Sequence, residues 1–433
     1  MKRLRTGHAC CGALLVRPDA LVPPLISGWS TLDATSPMPY TTFIRPGRRF
    51  AIASAALLAL AILLFAGAAW YYSSVIRSGL LKPDYSPSTL NLRVVDVVGD
   101  HIVLTPRSDD HVSGLDDNEL WGLQGASGYG QVGQTLNAEG KQVTRQFTLL
   151  NGSINPGDFA RLDSFAYRGD PMSARGIAFH DVTIPSQLGD LPAWKVDGSS
   201  DTWVIFVHGW RADREEALRM LPTISSLGLP SLVISYRNDA GAPPNSDGLI
   251  WWGATEWQDL EAAVDYAAAQ GARSIVLYGY SMGGGISISF LEHSTRSGLV
   301  SGVILDAPVL DFDALVDFQA GRRHLPGFLT AAGKKFASWR FGVDWSSMDY
   351  VTGFDRVHVP VLLFHGTNDD RAPIDVSRRL ARDHSDIVTY IEVPGAGHVR
   401  SWNVDPAAYQ QNVETFLERV AVVPVRLART WPN

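Results

Sequence analysis

A chain of 433 residues, 45% hydrophobic and 19% charged, carries enough apolar material for one large core plus an extra module, and too much for a disordered polypeptide. Its formal net charge of −7 offers no basic footprint for nucleic acid. The only two cysteines, Cys10 and Cys11, are adjacent and remote from every motif below, and the sequence holds no H-E-x-x-H, no phosphate-binding Walker loop and no Cys/His cluster at zinc spacing, so no metal, cofactor, disulfide or thiol nucleophile is expected.

Residues 1–49 are interrupted by Pro23-Pro24, Pro37, Pro39 and Pro46 and read as a disordered cytoplasmic segment, with Met38 an alternative start. Phe50–Tyr72 then reads FAIASAALLALAILLFAGAAWYY, and no charge occurs before Arg77. A bilayer needs about 20 apolar residues, so residues 50–76 are expected to form a membrane-spanning signal anchor. Arg45, Arg48 and Arg49 precede the run, which places the N-terminus inside and everything after it outside; Trp70-Tyr71-Tyr72 suits an interfacial aromatic belt. A cleaved signal ending near Ala66-Gly67-Ala68 is the rival, and apolar length favours the anchor. Residues 77–90, with Gly79, Pro83, Ser86, Pro87 and Ser88, read as a linker.

Residues 91–170 lack helical periodicity. Leu92–Thr105 suggests two strands about a Gly99-Asp100 turn, and Val143–Leu150 another, giving either a small β-rich module or extra strands on a larger sheet. Gly128–Gly133 formally matches G-x-G-x-x-G but opens no helix, so dinucleotide binding is set aside. From 171 to 425, apolar strands at 177–184, 191–196, 202–207, 230–235, 302–305, 361–364 and 389–393 alternate with helical patterns at 254–269 and 407–420, which argues for a mostly parallel sheet covered on both faces.

The stretch that carries chemistry is Ser274–Ser287, SIVLYGYSMGGGIS. A buried strand, a sharp turn and a helix enclose Gly279-Tyr280-Ser281-Met282-Gly283, the context of a nucleophile elbow. A serine hydroxyl is a weak nucleophile and must meet a base and a carbonyl carbon together, which such a turn allows for Ser281. The backbone N–H of Met282 would then face the developing oxyanion.

With HGW at 208–210, GYSMGG at 279–284, HGTNDDRAP at 365–373 and GAGH at 395–398, the chain from about Trp194 to Val420 resembles the α/β-hydrolase superfamily, and looks closest to its serine-aminopeptidase and monoacylglycerol-lipase-like branch. The resemblance implies Ser281 as nucleophile, His398 as base, Asp369 as acid, and the N–H groups of Trp210 and Met282 as the oxyanion hole. Asp306 is the reserve acid; Asp370 reads as solvated, His365 and His208 as structural, and Glu256 as part of a helix N-terminus. Helical spacing at 310–318 and 328–341 suggests a short lid whose aromatics, Phe312, Phe318, Phe328, Phe336, Trp339, Phe341 and Trp345, could wall an acyl site. The expected protein is a membrane-anchored extracytoplasmic serine hydrolase of lipid or small acyl esters. A peptidase or thioesterase with the same triad, or a binding protein on an inactive hydrolase fold, are the alternatives.

Overall fold

The computed structural model describes residues 47–421 apart from Pro87 and Asp110; the expectations placed on residues 1–46, including Cys10, Cys11 and Met38, lie outside them. The chain divides into two compact units, Met1–Ala59 and Leu60–Asn433. The described part of the first is Gly47 and the opening turns of α1 (Arg48–Ile76). Ala and Leu, the strongest helix formers, dominate α1, and with the turn that follows it the helix is long and apolar enough to cross a membrane.

The presumed linker is not a free tether in its first half. Arg77–Leu81 forms a π-helical turn with Leu81 fully buried. The Leu81 carbonyl accepts from the Ile250 N–H at 2.7 Å, and the Leu80 carbonyl from the Trp252 indole at 3.0 Å. Asp84 pairs with Arg211 at 2.9 Å. Gly and Pro composition suggested slack, but the apolar pair Leu80-Leu81 finds a core to enter.

Six antiparallel strands follow: β1 (Leu92–Val98), β2 (His101–Pro106), β3 (Trp121–Gly125), β4 (Gly128–Glu139), β5 (Gln142–Gly152) and β6 (Phe159–Asp163). They close into a barrel in the order β1-β2-β5-β4-β3-β6 rather than extending the main sheet. Closure removes the unpaired edges that a small open sheet would expose. Leu92, Ile102, Leu123, Val132 and Phe147 fill the interior. The fully buried Arg145 donates to the carbonyls of Gly114, Leu115, Gly133 and Glu119, which ties the long β2–β3 loop onto the barrel wall. The Gly128–Gly133 run lies in β4, where a Cβ on Gly130 would meet the Phe147 ring at 2.5 Å, so close packing explains that glycine.

After the short helix α2 (Pro171–Arg175) the chain builds the main domain from β7 (His180–Ser186), β8 (Gly189–Val196), β9 (Thr202–Val207), α3 (Leu221–Ser226), β10 (Ser231–Ile234), α4 (Trp257–Ala269), β11 (Ser274–Tyr280), α5 (Met282–His293) and β12 (Val300–Asp306). Two helices, α6 (Phe312–Arg322) and α7 (Gly327–Phe341), occupy the expected lid position. β13 (Val361–Gly366), α8 (Ile374–Asp383), β14 (Val388–Val393), α9 (Ser401–Val404) and α10 (Pro406–Ala421) complete the domain. The eight-stranded sheet runs β14-β13-β12-β11-β9-β10-β8-β7, and β8 alone opposes its neighbours. Every residue of β9, β11 and β13 is buried, as strands covered on both faces must be. The chain steps from β9 outward to β10 and then back across β9 to β11, so the carboxyl ends of β9 and β11 flank the crevice where α/β sheets place their ligands.

Candidate active site

β11 delivers Ser281 into that crevice. Ser281 has φ 49° and ψ −115°, a backbone state that a side chain tolerates only when the surroundings impose it. Its N–H donates to the Asp306 carbonyl at 3.0 Å, and its own carbonyl accepts from the Gly284 and Val309 N–H groups, each at 3.0 Å. The two flanking glycines are required by space rather than by φ. A Cβ on Gly279 would stand 2.6 Å from the Gly283 carbonyl oxygen, and one on Gly283 would collide with the Val207 carbonyl.

His398 Nε2 lies 2.8 Å from Ser281 Oγ, and His398 Nδ1 lies 2.7 Å from Asp369 Oδ2. Asp369 is held by the loop after β13: its Oδ1 accepts from the N–H groups of Arg371 and Ala372, both at 2.8 Å. His365 Nε2 approaches Asp369 Oδ2 at 3.0 Å, while its Nδ1 meets Ser377 Oγ at 2.8 Å. Burial alone would raise the Asp369 carboxyl, but the His398 and His365 imidazoles outweigh it and hold the group well below the usual carboxylate range. An ionised acid fixes the proton on His398 Nδ1 and leaves Nε2 free to accept from Ser281.

The rival residues go elsewhere. Asp306 Oδ1 accepts from Ser401 Oγ at 3.0 Å and its Oδ2 from the Tyr409 hydroxyl at 3.1 Å, so both oxygens brace α9 and α10. Asp370 is exposed and faces Arg322 of α6 at 3.4 Å. Glu256 caps the approach to α4 by accepting from the N–H groups of Trp251 and Gly253.

Met282 follows Ser281 directly, and Trp210 lies in the loop that leaves β9. Met282 opens α5, so its N–H has no partner within the helix and joins a positive dipole end. Gly209 abuts Ser281, since a Cβ there would lie 3.0 Å from that of the serine. What aims this loop was not legible beforehand: the buried Glu216 accepts from the Gly209 N–H at 2.8 Å. Burial pushes the Glu216 carboxyl above its ordinary range, opposed by the Arg219 guanidinium. Arg219 donates to the Val399 carbonyl and to Asn403, both at 3.0 Å, and so braces the loop that carries His398. Trp252 stacks on Trp210 at 5.7 Å and meets Phe312 at a tilt at 5.0 Å, and Phe312 stacks in turn on Trp345 at 5.5 Å. This aromatic column links the lid helix α6 to the Trp210 loop. Of the other aromatics expected in the lid, Phe328 and Trp339 are exposed.

His208 is a strut of the same loop. Its Nε2 lies 2.8 Å from Asp239 Oδ2, its Nδ1 2.9 Å from the Gly209 carbonyl, and its ring stacks on Tyr236. A carboxylate and a carbonyl both demand N–H donors, so the imidazolium fits best. Burial lowers its affinity for a proton, yet Asp239 and the Gly209 carbonyl prevail and lift the pKa to about 9. Because the folded value lies above the free value of 6.5, this contribution is complete below pH 6.5 and lost as pH rises through about 9. We therefore expect the Tm to fall between pH 7.5 and 10 by more in the parent than in His208→Gln, as calorimetry would show.

The barrel meets the base-bearing loop directly. Arg400, two residues after His398, pairs with Glu119 at 2.9 Å and lies over the Trp121 ring at 4.7 Å. Asn403 Nδ2 donates to the Leu120 and Ser164 carbonyls. Burial raises Glu119 to about 7 against the pull of Arg400. Arg400→Ala should cost about 2 kcal/mol in urea unfolding, because it leaves the buried Glu119 without its ion-pair partner, and reduce kcat with it because the His398 loop loses its prop.

The described residues include no cluster of His, Cys, Asp and Glu that could hold a metal ion. A family model described as the alpha/beta hydrolase family matches residues 204–411. An esterase of Pyrococcus furiosus aligns at 20% identity and TM-score 0.48, over 59% of this chain and 97% of that one. An esterase of Exiguobacterium antarcticum aligns at 15% identity and TM-score 0.42, over 55% and 100%. The multifunctional-autoprocessing repeats-in-toxin of Vibrio cholerae is 25% identical over 217 residues, 47% of this chain, and the match spans only 4% of the toxin's length. The match running from β9 into α10, on a sheet of this strand order, gives residues 204–411 the fold of the α/β-hydrolase superfamily.

Proposed function

We propose that the chain is a membrane-anchored serine hydrolase that cleaves carboxylic esters outside the cytoplasm. The observation that carries this reading is the relay from Asp369 through His398 to Ser281, with hydrogen-bond distances of 2.7 and 2.8 Å. Ser281 Oγ attacks the ester carbonyl while His398 Nε2 takes its proton. The oxyanion rests against the N–H groups of Trp210 and Met282. The tetrahedral intermediate collapses, the C–O bond to the alcohol breaks, and His398 returns the proton to the leaving oxygen. Water, deprotonated by the same imidazole, then releases the acid and regenerates Ser281.

One feature favours an apolar ester over a peptide, within the serine-aminopeptidase and monoacylglycerol-lipase-like branch: α1 would hold the enzyme where lipid esters reside. The anchor, with Arg48 and Arg49 before it, supports an outward-facing domain. A peptidase or thioesterase would use the same relay. Hydrolysis of p-nitrophenyl esters of graded chain length, set beside peptide p-nitroanilides and acyl thioesters, tests the choice. The ester series should turn over fastest; faster cleavage of the anilides would overturn the ester assignment.

A further inference from the structure

The lid helix α7 and the apolar helix α1 run together, and their shared face ends in aromatics left outside any core. Ala69 and Ser73 of α1 are fully buried. Gly333 of α7 lets the helices approach, since a Cβ there would lie 3.1 Å from that of Tyr72. Arg340 clamps the pair: it donates to the Trp70 carbonyl at 2.9 Å and to the hydroxyls of Ser73 and Ser74 at 2.6 and 2.9 Å, with its guanidinium 3.5 Å from the Trp70 ring centroid. Farther along, Phe328 stacks on Phe65 at 6.0 Å and Trp339 meets Trp70 at 6.3 Å. Phe328 is 65% exposed and Trp339 74% exposed, on a helix with every opportunity to bury them.

Helix geometry sets the depth of these residues. At 1.5 Å per residue, Phe65 lies ~16 Å from the end of α1 and Trp70 ~9 Å. A hydrocarbon layer filled from Phe50 by about 20 residues ends near Trp70. Phe65, and Phe328 stacked upon it, then fall among acyl chains, while Trp70 and Trp339 fall at the headgroup level that indoles favour.

Granting that α1 spans the bilayer, as the functional reading holds, we propose that the Phe328–Trp339 face of α7 is inserted in the outer leaflet, so that the lid is seated in lipid and the ester reaches Ser281 laterally from the membrane. The partner is the bilayer itself. Through α6 and the Phe312-Trp252-Trp210 column, the seated lid lies in contact with the Trp210 loop.

The test uses the full chain with Cys10→Ala and Cys11→Ala, reconstituted into vesicles of three parts phosphatidylcholine to one part phosphatidylglycerol. Single spin labels go at Phe65→Cys, Phe328→Cys, Trp339→Cys and, on the barrel, Lys141→Cys. Power saturation against oxygen and a water-soluble nickel chelate reads the depth of each. Labels at 65 and 328 should both favour oxygen, that at 339 should be intermediate, and that at 141 should be aqueous. A lipid-exposed 65 with an aqueous 328 overturns the inference and leaves the anchor standing; an aqueous 65 overturns the anchor and the inference with it. In parallel, Phe328→Ser with Trp339→Ser should lose severalfold activity on a vesicle-embedded ester and none on soluble p-nitrophenyl acetate. Equal activity on both would again contradict the proposal.

Discussion

Replacing Ser281 by alanine is expected to lower kcat for ester hydrolysis by about 10⁴-fold or more while leaving the fold in place. The substitution removes one oxygen that accepts no structural load: the serine's backbone, rather than its hydroxyl, is tied to Asp306, Gly284 and Val309. His398→Ala should cost a comparable amount, and the double variant little more than either, because nucleophile and base act as one unit. Asp369→Asn should fall by about 10³–10⁴-fold, since an amide at this position can present N–H where His398 Nδ1 needs an acceptor. Independent, multiplying losses across the three would contradict the relay. Steady-state kinetics, with circular dichroism to verify folding, distinguishes these outcomes.

The second large effect is expected at Gly283. An alanine methyl there would be driven into the Val207 carbonyl and to 2.8 Å from the His208 oxygen, both backbone atoms with no rotamer to yield. Relief requires moving the end of β9 or the start of α5, and either disturbs the backbone around Ser281, where the oxyanion donors are proposed. Gly283→Ala should therefore destabilise by about 3 kcal/mol or more and abolish turnover, a larger stability loss than Ser281→Ala. Gly298→Ala, where a Cβ meets nothing within 4 Å, is the control and should be near neutral. Urea unfolding of the two variants checks the contrast.

The main sheet was legible because its signals are local. A continuous apolar run such as Thr202–Val207 fits a strand with both faces covered, and the Gly-x-Ser-x-Gly turn announces its own geometry. The helix expected from Ala254 begins at Trp257, because the Glu256 carboxylate is spent on the N–H groups of Trp251 and Gly253. What could not be read is long-range. Barrel closure depends on Leu92 pairing with Ala160, a register that neither strand encodes alone. Glu216 resembles any charged residue of a short helix until Gly209 is folded against it. Leu80-Leu81 looked like part of a tether because their partners, Ile250 and Trp252, lie some 170 residues away, as the 172-residue separation of Leu80 and Trp252 shows.

The central claim is that Ser281 is an activated nucleophile. The most direct measurement is labelling of the folded full-length protein with a fluorophosphonate probe, followed by mass spectrometry of the modified peptide. The account predicts one adduct, on Ser281, absent from Ser281→Ala and strongly reduced in His398→Ala. A folded parent protein that stays unlabelled, or an adduct on another serine that persists in Ser281→Ala, would contradict it.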